Sequence, residues 1–345
     1  MKASAAPSAD PASRRGVVLV NVGTPEAPTE AAVRTYLREF LGDPNVVDLP
    51  APARWLLLNL VILPFRPAKS AHAYQAIWTN DGSPLLVHSR AQAAALAQRL
   101  PEAVVVLAMR YGAPSLADAV ASLAAAGVSD LTLVPLYPQE AQATVGTTVD
   151  AFLALARDAR VVPPFFSSAA FVGVMAKRVR AAVEATGATF VLFSYHGLPV
   201  RQVKRRCEAS CQRSEGACPP LKDDNRRCYR AQCFATSAAI AKAAGVLATS
   251  TTSFQSRLKG ASWIGPFTDD TLVALARRGV KRVAVACPSF VADCLETLEE
   301  IGLRGAATFR AAGGEHLELV PAANEDPAFI DELASQVRRQ WEVTR

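Results

Sequence analysis

Two stretches of the chain concentrate side chains able to move protons or hold metals. The first is Phe190–Pro199, FVLFSYHGLP. Its opening run of apolar or small residues reads as a buried strand that ends abruptly in Tyr195, His196, Gly197 and Pro199. An imidazole at the carboxyl end of a central strand sits where open α/β sheets hold their ligands. It can accept a proton or bind a metal near neutral pH, although a histidine judged by type alone is more often structural. Glu296 is its natural counterpart, near the start of a predicted helix after strand Lys281–Cys287, with Asp293 before it and Glu300 one turn on. Spacing i, i+4 puts Glu296 and Glu300 on one helix face. Acids at a helix start commonly only offset the dipole. A carboxylate after one strand and a histidine after another strand of the same sheet offer more: N and O ligands for a divalent metal, or an acid/base pair. The other histidines, His72, His88 and His316, fall in predicted helices or loops and read as structural.

The second stretch holds five of the seven cysteines, Cys207, Cys211, Cys218, Cys228 and Cys233, spaced C-x3-C-x6-C-x9-C-x4-C. No export signal is expected, since Met1–Arg15 is a polar tail rich in Ala, Pro and Ser without an apolar core. In a reducing compartment such thiols read as metal ligands rather than disulfides, and thiolates select zinc or iron–sulfur. The spacing is not that of a zinc ribbon. Residues 201–230 also hold nine Lys or Arg against four acids, which accounts for most of the chain's formal charge of +6. A four-thiolate centre of either kind carries negative charge that this basicity would offset, so charge does not choose between them. No aromatic platform is interleaved with the basic residues, and nucleic acid is not an expected partner.

The elements that must position these groups follow a strand, helix, strand rhythm. With 345 residues, half of them hydrophobic, the chain can bury a large core and is expected to form two lobes. Strand Gly16–Val22 turns through Asn21–Pro25 into a helix near Glu30–Phe40. Strand Ala103–Met109 ends in Arg110, Tyr111 and Gly112; helix Ser115–Ala126 leads to strand Asp130–Leu136, which ends in Tyr137, Pro138 and Gln139. This is the βαβ pattern of a parallel sheet, with polar residues gathering after the strands. A helix at 146–157, a short apolar stretch at 161–166 and a helix at 170–186 precede the strand that carries His196. Helix Tyr229–Ala244, a strand beginning at Ser250, a helix at 269–278, a helix Val291–Ile301, strand Leu317–Val320 and a terminal helix near 327–342 complete the chain. The turn S-Y-H-G-L-P echoes N-V-G-T-P of the first lobe and hints at duplication. There is no G-x-G-x-x-G, P-loop, G-x-S-x-G elbow or H-E-x-x-H, so no nucleotide is expected. The greasiest run, Trp55–Phe65, is about half the length of a spanning helix; it serves as core, as an apolar lip, or as a contact with a membrane surface.

The chain resembles the ferrochelatases, which insert ferrous iron into a porphyrin at the end of haem synthesis. The resemblance covers nearly the whole chain from about Val17 and rests on LVNVGTPEAPT, FLGDPNVVDLP, GSPLLVHS, RYGAPS, PLYPQ, SYHGLP, TTSFQSR, SWIGPFTDDTL and CPSFVADCLETLEEIG. It implies an α/β fold of two similar Rossmann-like lobes, each a parallel sheet flanked by helices, with the active-site cleft between them. The expected boundaries are a tail over 1–15, a first lobe over 16–165, a second lobe over 166–325 with a Cys-rich insertion at 201–233, and a C-terminal helix over 326–345. Carried over by residue, the resemblance makes His196 and Glu296 the metal and proton-transfer pair, with the division of roles between them open. Arg110, Tyr111, Tyr137, Ser256 and Trp263 match positions lining the porphyrin cleft. Some relatives have His where this chain has Cys294, so a two-histidine mechanism is not expected. Family members with a [2Fe–2S] centre draw ligands from a C-terminal Cys cluster and a Cys in the segment after Y-P-Q. This chain has Gln142 in that place and no Cys after Cys294. The expected cluster ligands are therefore Cys207, Cys211, Cys218 and Cys228, with Cys233 as a substitute. Expected partners are a porphyrin, protoporphyrin IX or alternatively coproporphyrin III, and Fe2+ as substrate. A non-catalytic haem-binding or iron-sensing role is the competing reading. The expected location is the cytoplasm, with peripheral membrane contact through the lip; the sequence leaves oligomeric state open.

Overall fold

The computed structural model describes residues 14–205, 218, 220–257 and 262–342. Two four-stranded, wholly parallel sheets organise it. The first contains β1 (Arg15–Gly23), β2 (Ala103–Tyr111), β3 (Asp130–Pro135) and β4 (Arg160–Val161), in spatial order β2-β1-β3-β4. The second contains β5 (Phe190–His196), β6 (Ser250–Gln255), β7 (Arg282–Ala286) and β8 (His316–Val320), in order β6-β5-β7-β8. Within each half the order is the same, second-first-third-fourth, so the echo between N-V-G-T-P and S-Y-H-G-L-P reflects equivalent positions. In this order the chain winds outward both ways from its first strand, and the crevice expected to hold ligand lies at the carboxyl ends of the first and third strands. In the second half those are β5 and β7.

The strands read as uninterrupted apolar runs because helices cover both faces; Val17, Val18, Leu19 and Val20 of β1 are wholly buried. The helices between β1 and β2 are α1 (Glu30–Gly42), α2 (Ala51–Leu56), α3 (Leu63–Gln75) and α4 (Pro84–Arg99), with a π-helical turn Leu57–Ile62 joining α2 to α3. Then come α5 (Leu116–Ala125), α6 (Thr147–Leu155) after a π turn Gln142–Gly146, and α7 (Ala169–Thr186). Ser115 starts α5 with a capping box to Asp118. The second half adds α8 (Val200–Lys204), α9 (Tyr229–Ala244), α10 (Thr268–Arg277), α11 (Leu295–Thr297), a π segment Leu298–Gly305, α12 (Ala306–Ala311) and α13 (Pro327–Glu342).

One hydrophobic core runs through both halves. Val17, Leu19 and Val134 of the first sheet and Val191, Phe193 and Ala284 of the second share a cluster with Phe171, Met175 and Val179 of α7 and Phe329 and Leu333 of α13. The terminal helix crosses back to the first sheet, where the Trp341 indole N–H donates to Thr132 Oγ1 at 3.0 Å. Gln92 of α4 donates to the carbonyls of Val291 and Asn324, each at 2.9 Å.

Three elements differ from expectation. The stretch at 161–166 forms ladder only at Arg160–Val161, and Val162 and Phe165 continue as buried irregular chain. The helix expected at 146–157 is preceded by a π turn that begins at Gln142. The helix expected from Val291 does not begin until Leu295. Residues 288–294 are held as a loop instead: the buried Asp293 carboxylate accepts from Asn324 Nδ2, Thr297 Oγ1 and the Ala322 N–H, and the Asp293 N–H donates to Asn324 Oδ1. Side-chain bonds to backbone compete here with helix formation.

Candidate active site

His196 is the last residue of β5. Its main-chain N–H donates to Ser289 Oγ at 3.2 Å, and its carbonyl accepts from Tyr229 Oη at 2.8 Å. Its Nδ1 lies 2.6 Å from the Gly197 carbonyl oxygen. A carbonyl only accepts, so Nδ1 carries the hydrogen and the neutral ring presents a lone pair at Nε2. Gly197 is required by close approach: a Cβ there would sit 2.7 Å from the Gln255 carbonyl oxygen and 3.1 Å from the Trp263 ring.

Gln255, at the end of β6, joins the two candidate catalytic residues. It pairs with His196 in the parallel ladder, and its carbonyl accepts from the Gly197 N–H at 2.8 Å. Its side-chain Nε2 donates to the Glu296 carbonyl at 2.7 Å, while its Oε1 accepts from Ser194 Oγ at 2.6 Å. A buried side chain with both ends satisfied is held in one orientation. It therefore fixes the main chain at Glu296 relative to the end of β5.

Glu296 lies in the first turn of α11 and faces helices of the first half. Neighbouring Leu295 packs into the cluster of Val33, Tyr36, Leu63 and Tyr74. Burial pushes the Tyr74 hydroxyl well above its ordinary pKa, and the Glu296 carboxylate adds to the shift. Burial does the same to Tyr36, aided by Tyr74 and then Glu296. Burial followed by the nearby Glu296 also raises the Cys294 thiol, keeping it neutral. Glu300 is clamped rather than free: Ser256 donates to it through its N–H at 2.8 Å and its hydroxyl at 2.5 Å. Ser256 does so from a left-handed backbone, φ 62°.

On the first-half side, Arg110 and Tyr111 converge on Asp43. Arg110 Nη2 is 2.6 Å from Asp43 Oδ2, Tyr111 Oη donates to the same oxygen at 2.8 Å, and Thr147 Oγ1 donates at 2.6 Å. Burial alone would raise the Asp43 carboxyl; hydrogen bonds from Thr147, the Asn45 N–H and Tyr111, with the Arg110 charge, outweigh it and hold the pKa below its usual value. Burial drives the Tyr111 and Tyr137 hydroxyls well up, so both stay protonated. The group borders an open depression of about 400 Å³ lined by Asp43, Asn45, Arg110, Tyr111 and Thr147. Trp263 stands on the second-half side against Gly197, and its buried indole N–H has no hydrogen-bond partner among the described residues.

The structure thus brings His196, Glu296, Ser256 and Trp263 to the strand ends of the second half, and Arg110, Tyr111 and Tyr137 to those of the first. Sequence reasoning did not single out Gln255, Asp43, Thr147 or Tyr229. The signal for Gln255 was its place, at the end of the strand that would pair with His196.

Of the cysteines, Cys207 and Cys211 lie outside the described residues. Cys228 and Cys233 are buried and share the apolar cluster against which Cys218 packs. The buried Arg230 guanidinium donates to Cys218 Sγ at 2.9 Å and lies over the Phe234 ring. Among the described residues, no three His, Cys, Asp or Glu side chains are arranged to hold a metal ion.

Comparison with known proteins decides the lineage. The sequence profile of the family described as Ferrochelatase matches residues 14–341. The chain belongs to the ferrochelatase family. It is 45% identical over 335 residues to the ferrochelatase of Opitutus terrae, covering 94% of this chain and 97% of that one. It is 42% identical over 337 residues to that of Legionella pneumophila strain Lens (95% and 100%) and 40% identical over 337 residues to that of Coxiella burnetii strain RSA 493 (95% and 94%). Among solved structures, SirB from Bacillus subtilis with Fe3+ shares the fold at a TM-score of 0.51 and 11% identity, covering 95% of each chain. Ferrochelatases are lyases of the metal-chelatase kind, and the double parallel-sheet architecture agrees with that membership.

Proposed function

We propose that the chain inserts Fe2+ into protoporphyrin IX to form protohaem, with His196 and Glu296 at the reacting centre. The observation that carries this reading is the Gln255 bridge, which ties the end of β5 to the first turn of α11 at the switch point of the second sheet. Metallation requires two pyrrole N–H protons to leave while the ion sheds water and enters the ring. His196 Nε2, with its lone pair exposed by the Nδ1 contact, is suited to accept the first proton. Glu296 supplies an anionic oxygen toward the incoming ion, and Glu300, held by Ser256, continues a carboxylate path away from it. Arg110 is committed to Asp43 through Nη2, so on this side it braces the wall, and Tyr111 and Tyr137, buried and protonated, stand within that wall.

The cysteine-rich segment is proposed to hold a [2Fe–2S] cluster through Cys207, Cys211, Cys218 and Cys228, with Cys233 as substitute ligand. In support, Cys228 and Cys218 belong to one apolar cluster, and the buried Arg230 cation beside Cys218 would offset thiolate charge. Such a cluster would staple the insertion covalently. Iron and sulfide analysis of the purified protein, beside the Cys211→Ser variant, tests it: zinc or no metal rejects the cluster.

Trp55, Leu60, Val61 and Phe65 are exposed together on α2, the π turn and α3, with Arg54, Arg66 and Lys69 beside them. This lip is proposed to touch a membrane surface from the cytoplasmic side; among the described residues no helix is long and apolar enough to cross one. Loss of liposome flotation in Phe65→Glu is the expected result.

The central test is anaerobic conversion of protoporphyrin IX with ferrous iron, followed by absorbance, beside His196→Ala. Turnover by the wild type that collapses in the variant supports the reading. Turnover with coproporphyrin III alone would reassign the substrate, and tight porphyrin binding without metallation of either would leave a binding protein.

A further inference from the structure

Helix α9 emerges from the cysteine-rich segment and braces the strand ends that flank the site. Gln232 Oε1 accepts from the Glu140 N–H at 2.6 Å, Gln139 Nε2 donates to Thr236 Oγ1 at 3.3 Å, and Ser237 Oγ donates to Tyr195 Oη at 3.0 Å. The contact nearest the chemistry comes from Tyr229, the first residue of the helix. Its hydroxyl donates to the His196 carbonyl at 2.8 Å. On the same edge of the strand Ser289, which also meets the Tyr229 hydroxyl, accepts from the His196 N–H. The other end of the 196–197 peptide is the Gly197 N–H, which the Gln255 carbonyl accepts, so the Tyr229 hydroxyl and the neighbouring strand hold this peptide from its two ends. The imidazole is in turn oriented by the very next carbonyl, Gly197 O. A shift of the 196–197 peptide would therefore rotate the ring.

We infer that Tyr229 is a positioning residue for the chelatase reaction: its hydroxyl, fixed at the start of α9, clamps the 196–197 peptide and so aims His196 Nε2. This rests on the reading that His196 accepts a pyrrole proton. In the first half the Tyr36 hydroxyl donates to the Gly23 carbonyl at 3.1 Å, one position later than the His196 carbonyl when the two glycines are matched.

Tyr229→Phe removes the hydroxyl and leaves the buried ring. The expected result is a kcat about tenfold lower with unchanged KM for porphyrin, as small displacements of a catalytic group act on kcat. Ser237→Ala removes a comparable bond between the same helix and the adjacent strand residue, and is expected to change kcat less than about twofold. An independent readout does not need turnover. The chain has four histidines, so a 15N-histidine spectrum resolves each ring, and Tyr229→Phe should move the His196 signals alone. Should the Phe variant fold poorly, fluorotyrosine at 229, which alters the donor strength of the hydroxyl, must move the same signals. A wild-type kcat in Tyr229→Phe, an equal fall in Ser237→Ala, or an unmoved His196 ring overturns the inference. A wild type that metallates no porphyrin would sink the chelatase reading instead, while the spectra still decide whether Tyr229 positions His196.

Discussion

The two halves of the molecule are built to one plan and furnished differently. In each, a glycine at the turn out of the first strand presses against the end of the second: a Cβ on Gly23 would collide with the Tyr111 carbonyl, and one on Gly197 with the Gln255 carbonyl. In each, a tyrosine from a later helix donates to the carbonyl at the first strand's end. The side chains then diverge. The first half closes its polar groups on one another, with Asp43 accepting from Arg110, Tyr111, Thr147 and the Asn45 N–H. The second half presents the imidazole Nε2 and sets the Glu296 carboxylate beside the Cys294 thiol and near the Tyr36 and Tyr74 hydroxyls. Topology supplied two equivalent positions for a site, and side-chain chemistry made one a wall and the other a reacting centre.

That contrast fails or sharpens by substitution on either side. His196→Ala should lower kcat by about 10³-fold, the range of a lost general base, with porphyrin affinity little changed in a fluorescence titration. Asp43→Asn should show the reverse. Breaking a largely buried, hydrogen-bonded ion pair costs about 2–4 kcal/mol of stability in denaturant unfolding, while turnover of the folded fraction stays within about tenfold of wild type. If Asp43→Asn abolished turnover at native stability, the first half would hold chemistry and the contrast would be wrong. The acid dependence follows from the depressed Asp43 pKa. Its contribution is fully present above the unfolded carboxyl pKa, about 3.9, and is lost as pH falls through the lower folded value. The stability gap between wild type and Asp43→Asn should therefore be constant near neutrality and shrink below about pH 4.

Much of this arrangement was legible in the chain itself. The apolar runs at 17–20, 190–194 and 283–287 mark strands covered on both faces, and the residues after the second and third of these point to His196 and Glu296. What was not legible depends on pairing across long separations. Nothing local says that Asp43 meets Arg110 and Thr147, or that Gln255 reaches both the Gly197 N–H and the Glu296 carbonyl, because those partners are set by strand order and register. The late start of α11 was hidden for the same reason. Residues 291–294 have the composition of a helical turn, but the Asn324 and Ala322 groups that capture Asp293 arrive from a loop some thirty positions on.

The smallest expected effect concerns Ser256, where a strained backbone and a polar side chain serve one carboxylate. At φ 62° a side chain with a Cβ costs about 1 kcal/mol that glycine does not. Its N–H and hydroxyl both donate to Glu300. Ser256→Ala loses the hydroxyl and keeps the backbone cost; Ser256→Gly loses the hydroxyl and relieves it. Glycine should thus be the more stable variant by about 0.5–1 kcal/mol in paired denaturant melts. Both retain the N–H, so both should lower kcat by the same small factor, about two- to fivefold, if Glu300 carries protons outward from Glu296. Equal stability of the two variants would mean that the turn relaxes without its serine. A kcat that fell in one and not the other would place the function of this residue in its backbone conformation rather than in the hydroxyl that holds Glu300.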